Sequence, residues 1–202
     1  MRAASVTTVT DAEAQGLAGP PVAGDETATL LGSLERQRAT FAWKVGGLDA
    51  SGLAAKVGAS SITLGGLVKH LAFVEEFKFS TMLHGRAPSA PWNAVDWDAD
   101  IDWPWHSAAQ DSPEDLYGLW HDAVIRSRSA VAQVLADGGL GRRIAYVHDS
   151  SEEPLSLRRL LVDMIEEYAR HVGHADLIRE TVDGLVGEDP SGQHYPYPPL
   201  AV

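Results

Sequence analysis

The sequence predicts an all-α fold in which four long amphipathic helices pack as a bundle. Apolar residues recur at helical spacing in four separate segments. Three of those segments open on a serine or threonine that can cap a helix, and the segments close on glycine. At 202 residues, 45% of them hydrophobic, the chain can bury one substantial core in a single domain.

Residues 1–24, with Gly16, Gly19, Pro20, Pro21 and Gly24, lack a sustained period and read as a flexible leader. Helix one is predicted over Glu26 to Val45 and ends at Gly46-Gly47. Its stripe is Leu30, Leu34 and Phe41, with Gln37 or Arg38 completing it, while the charged ends of Arg36 and Arg38 are expected in solvent. Ser61 or Thr63 caps helix two, which runs to about Leu83 before Gly85. Helix three starts at Ser112-Pro113-Glu114-Asp115, with proline at the first helical position and acids in the first turn, and continues through Leu116, Trp120, Val124 and Val131 to Gly138-Gly139. Ser156 caps helix four, which ends near Asp183-Gly184. The bundle domain is thus 25–187, and the tail 188–202, with Tyr195 to Pro199, reads as an extended strap.

Between helices two and three lies a long crossover in which Trp92, Trp97, Trp103 and Trp105 alternate with Asp96, Asp98, Asp100 and Asp102. Two readings stand: aromatic anchors that pin the crossover to the bundle, or a wall over a ligand pocket. A calcium loop is excluded, because the glycine at the sixth position and the glutamate at the twelfth are missing.

Helix four holds the strongest chemical signal. Asp163, Glu167, Arg170, His171 and His174 fall on one face, where an amphipathic helix normally presents apolar residues. Leu160, Leu161, Met164, Ile165, Tyr168, Val172, Ala175, Leu177 and Ile178 flank that face and call for burial. Glu167 and His171, one turn apart, can chelate a divalent cation without distorting the backbone. His70, beside the inward stripe of Leu67, Leu71 and Val74 on helix two, is the best third ligand. His174 is a fourth ligand, an outer donor or a general base. Arg170 either pairs with Asp163 or Glu167 or binds a substrate carboxylate. Glu166 is turned about 100° from Glu167 and reads as a solvated or salt-bridging group. His84, His106, His121, His148 and His194 receive no role.

The segments Thr29 to Trp43, Gly66 to Ala72, and Met164 to Glu180 with Asp183-Gly184 together resemble the DinB-like superfamily, in particular its DUF664 branch. The resemblance implies an up-down-down-up four-helix bundle holding a divalent metal. In the related mycothiol-dependent maleylpyruvate isomerases the ligands are a second-helix histidine and an E-x-x-x-H pair, which fall here on His70, Glu167 and His171. Relatives in the branch often carry histidine where Asp163 stands. A homodimer is implied by the resemblance alone.

Two imidazoles and one carboxylate leave coordination positions open, the pattern of a catalytic ion of the zinc or nickel class. With no cysteine, the chain lacks its own thiol nucleophile and disulfides alike. The resemblance therefore points to activation of a small thiol such as mycothiol for transfer to, or isomerisation of, an electrophile. A metal-water hydrolase and a non-enzymatic metal-binding bundle are the alternatives. A net charge of −12 disfavours nucleic acid and anionic membranes, so the partner is a small molecule. With no run of 18 apolar residues and no signal-like N-terminus, a cytoplasmic protein is expected.

Overall fold

The computed structural model describes residues 17–145 and 153–190. Among them the regular structure is helical, with one isolated antiparallel bridge between Arg143 and Ser156. Helix α1 spans Glu26–Val45 and opens on Asp25, whose carboxylate accepts from the Ala28 N–H. A single turn, α2 (Ala50–Leu53), follows. Helix α3 (Leu64–Glu76), capped by Thr63, runs without a break into a π-helical stretch at Phe77–Met82. The crossover contains α4 (Trp103–Ser107) between two short 3₁₀ turns, 92–94 and 108–110. Helix α5 (Pro113–Gly138) is capped by Ser112, and α6 (Leu157–Asp183) by Ser156.

Ion pairs and side-chain contacts give the directions of the four long helices. Arg158 at the start of α6 pairs with Glu26 at the start of α1, and Arg179 near its end donates to the Lys44 and Gly46 carbonyls that close α1. These two helices therefore run the same way. Lys69 pairs with Asp111 just before α5, and Arg126 further along α5 pairs with Glu76, so α3 and α5 also run together. Contacts of His70 with Glu167 and Lys78 with Asp163 make α3 and α6 antiparallel. Leu34, Phe41, Leu67, Leu71, Leu116, Val124, Leu161 and Met164 fill the space between them. Each contributes about 1.5–3 kcal/mol by leaving water.

The structure corrects the expectation for Arg38. Its guanidinium is buried, donating from Nε and Nη2 to the two oxygens of Glu75 at 2.8 and 2.6 Å, with Glu75 fully covered. Tyr168 donates to the same carboxylate, Trp120 donates to the Tyr168 oxygen, and Glu35 bridges Arg38 to Arg128. A charged network thus joins all four long helices, each buried charge matched by an opposite one. Arg36 is half-buried, not in solvent. It pairs with Asp189 and donates to the Leu17 carbonyl.

Residues 17–24 run back along α1: a Cβ on Gly32 would lie 2.7 Å from the Pro20 Cα, so glycine permits this close approach. The remainder of the expected leader, the strap at 195–199, His148 and His194 lie outside the described residues. Leu177, expected to be buried, is 61% exposed because it falls on the outward side of α6. Among the described residues no helix is long and apolar enough to cross a membrane.

Candidate metal centre

Helices α3 and α6 meet where the wide apolar faces of each are interrupted by polar side chains. His70 Nε2 lies 3.0 Å from Glu167 Oε1, and His171 Nε2 lies 3.2 Å from the same oxygen. One donor atom from each residue falls within 4.8 Å of the others. Four ligands at about 2.0–2.1 Å around a tetrahedral ion sit roughly 3.3 Å apart, so these separations fit a divalent cation. The chemistry fits as well, since two imidazoles and a carboxylate suit a borderline metal.

The electrostatics point the same way. Hydrogen bonding to His171, then to His70, holds the Glu167 carboxyl far below the usual carboxylate range despite partial burial. His171 is buried, whereas His70 and Glu167 remain partly open to solvent. Trp105 stacks on the His70 ring at 4.6 Å between centroids and lies 5.9 Å from the His171 ring. Its approach depends on Gly66, one turn before His70, where a Cβ would meet the indole at 2.9 Å.

Around this cluster the other residues of the face separate. His174 Nδ1 lies 3.3 Å from His171 Nδ1, on the far side of that ring from Glu167. Burial, then the charges of His171 and Arg170, lower the His174 pKa and favour its neutral form. Arg170 is exposed and makes no ion pair among the described residues. Asp163 is instead held by Arg159 at 2.6 Å and approached by Lys78 at 3.7 Å, so it does not join the cluster. Glu166 is exposed, 3.9 Å from Arg159.

The crossover tryptophans divide between anchoring and walling. Trp92 is buried against Phe73 and Trp103, Trp97 packs on Phe73, and Trp103 lies under the Lys69 ammonium. Trp105 alone of the four touches the His70 and His171 rings. Sequence reasoning did not single it out, and the one available signal was the unusual Gly65-Gly66 pair in the first turn of a buried helix.

Comparison with known proteins bears on what such a centre does. No curated protein matches the chain significantly. A family model described as mycothiol-S-transferase matches residues 29–184, from the first turn of α1 through α6, and so includes His70, Glu167 and His171. A match over that share of the sequence decides membership: the chain belongs to the mycothiol-S-transferase family.

Proposed function

We propose that the protein is a metal-dependent transferase that joins the sulfur of mycothiol, or a thiol like it, to a small electrophile, on an up-down-down-up four-helix bundle. The helix directions support the bundle: α1 and α6 run together, α3 and α5 run together, and α3 opposes α6. The observation that carries the function is the convergence of two imidazole nitrogens on one carboxylate oxygen, in a family named for thiol transfer and in a chain with no cysteine.

His70, Glu167 and His171 would hold an ion of the zinc or nickel class. Such an ion, when bound, lowers the pKa of a sulfur or oxygen ligand into the neutral range. The chain's own residues do the rest. His174 accepts the Nδ1–H of His171, which fixes the tautomer that leaves His171 Nε2 as a lone-pair donor to the cluster. Arg170, one turn from His174 on the exposed side, gives an anionic electrophile a positive landing point. The thiol sulfur loses its proton to solvent and forms an S–C bond with the electrophilic carbon. The displaced electron pair leaves with the leaving group or, in an addition, takes a proton at the adjacent atom.

Turnover is measured with metal-loaded protein, chelated protein and Glu167→Ala, each with and without mycothiol. Activity only in the loaded wild type with thiol is expected. A rate that ignores thiol but requires water replaces this reading with a hydrolase.

A further inference from the structure

A cavity of about 320 Å³ lies between the end of α3 and the middle of α5, and none of His70, Glu167 and His171 lines it. Its α3 wall continues into the π-helical stretch through Phe79 and Ser80. Such widened turns are rare in helices and recur at ligand sites. The volume is at the small end of the range for organic ligands and suits a molecule of amino-acid size.

Two buried carboxylates lie on the α3 side, and they differ. Glu75 is fully engaged, with both oxygens held by Arg38 and one also by Tyr168. Glu76 is only 4% exposed, yet its charge has a single partner, an Arg126 nitrogen at 3.4 Å on a side chain 48% in solvent, besides the Ser89 N–H. A carboxylate offers about four acceptor positions, so roughly two on Glu76 stay open. As a tie between helices the pair is weak, because the contact is long and the arginine half solvated. Nearer solvent, Arg86 is exposed, and among the described residues its guanidinium bonds no protein group.

The cavity therefore presents an acid at depth, a cation beside it and a second cation at the mouth. An inorganic oxyanion would satisfy the two arginines but bring its charge against Glu76, and a simple amine would satisfy Glu76 but face both arginines. A molecule carrying a carboxylate and an ammonium on adjacent carbons answers both signs at once. Phe79, Ala87 and Ala130 complete the walls and accept an aliphatic side chain. We propose that this cavity binds a free α-amino acid with a short apolar side chain, its ammonium on Glu76 and its carboxylate between Arg126 and Arg86. The site is separate from the metal centre and does not depend on the thiol reading.

Calorimetric titration of the full-length protein with L-leucine tests it, with 4-methylpentanoate and 3-methylbutylamine as the carboxylate-only and ammonium-only counterparts. L-leucine is expected to bind at least about tenfold more tightly than either counterpart, the scale of one lost charge-assisted hydrogen bond. Arg86→Ala should weaken L-leucine by at least about tenfold, and Glu76→Gln should bring it within about twofold of 4-methylpentanoate. Should Glu76→Gln fail to fold, Ala87→Trp, at an exposed wall position, blocks the cavity and should abolish L-leucine binding. Zinc affinity should stay unchanged in Arg86→Ala and Ala87→Trp, which keeps failure here apart from failure of the metal centre. No binding of L-leucine at millimolar concentration, counterparts that bind as well as the whole, or an affinity unaltered by Arg86→Ala or Ala87→Trp overturns the proposal. Inorganic phosphate that binds more tightly than L-leucine makes this a plain anion site and overturns it as well.

Discussion

Tyr168 donates its hydroxyl to Oε1 of Glu75 at 2.7 Å, one residue along α6 from Glu167 and five along α3 from His70. The bond sets the register between the two helices that supply the candidate ligands. Burial, then the Glu75 charge, pushes the Tyr168 pKa well up, so the hydroxyl keeps its proton. Glu75→Gln or Arg38→Leu should destabilise by about 3–5 kcal/mol, because the remaining charge is left buried without its partner. Tyr168→Phe, which strands no charge, should lose about 1–2 kcal/mol. Denaturant midpoints at constant slope measure both.

Zinc should raise the melting temperature of wild type. At a hundredfold excess over Kd, linkage gives about 2.7 kcal/mol. Glu167→Ala and a His70→Ala/His171→Ala double variant should show no such response. Metal content by mass spectrometry is the independent check, and full occupancy persisting when His70, Glu167 and His171 are all replaced by alanine would remove the centre.

His174→Ala and Arg170→Ala should separate. Loss of the group that meets His171 Nδ1 is expected to weaken zinc binding about 10- to 100-fold. Arg170→Ala should leave zinc affinity alone and raise KM for an anionic electrophile. Equal effects of the two on zinc affinity would contradict this division of roles.

Gly66→Ala should destabilise despite alanine's better helix propensity, because its Cβ and the Trp105 indole cannot both stay where they are. In a Trp105→Ala background the same change should become neutral or stabilising, by up to about 1 kcal/mol. A double-mutant cycle of unfolding free energies reads the coupling.

Acid should weaken the network through Glu35. Burial raises its pKa, but the hydrogen bond from Arg128 and the charge of Arg38 more than offset this, and the folded value lies below the ordinary 4.5. With the folded pKa depressed, the contribution is complete above the ordinary value and is lost as pH falls through the folded one. Glu35→Gln should flatten the stability profile in that acid window and lower stability at neutral pH.

The helix ends were legible because their signals are local. Asp25, Thr63, Ser112 and Ser156 each accept a backbone N–H in the first turn, and three of these four stand at caps read from the sequence. The E-x-x-x-H pair was legible for the same reason, since one helix fixes its geometry. The fate of Arg38 was not. Its partner is 37 residues away, and a buried arginine looks like a solvated one until Glu75 is placed opposite. Asp163 shared the spacing of the ligand face yet pairs with Arg159, because neighbouring cations outside the pattern claim it. The π-helical stretch after Glu76 has no sequence signal that we can identify.

The pairing of α1 with α6 joins residues as far apart as Lys44 and Arg179, 135 positions along the chain. During synthesis α1 is the earliest of these helices to emerge, and the helix that covers its apolar stripe is the last. Until α6 arrives, Phe41 has the Trp120 ring of α5 beside it but not the Tyr168 ring, and the end of α1 lacks the Arg179 guanidinium that closes its carbonyls. A chain truncated anywhere before α6 therefore presents an uncovered sticky helix, and assembly in the cell depends on keeping that surface solitary until translation is nearly complete.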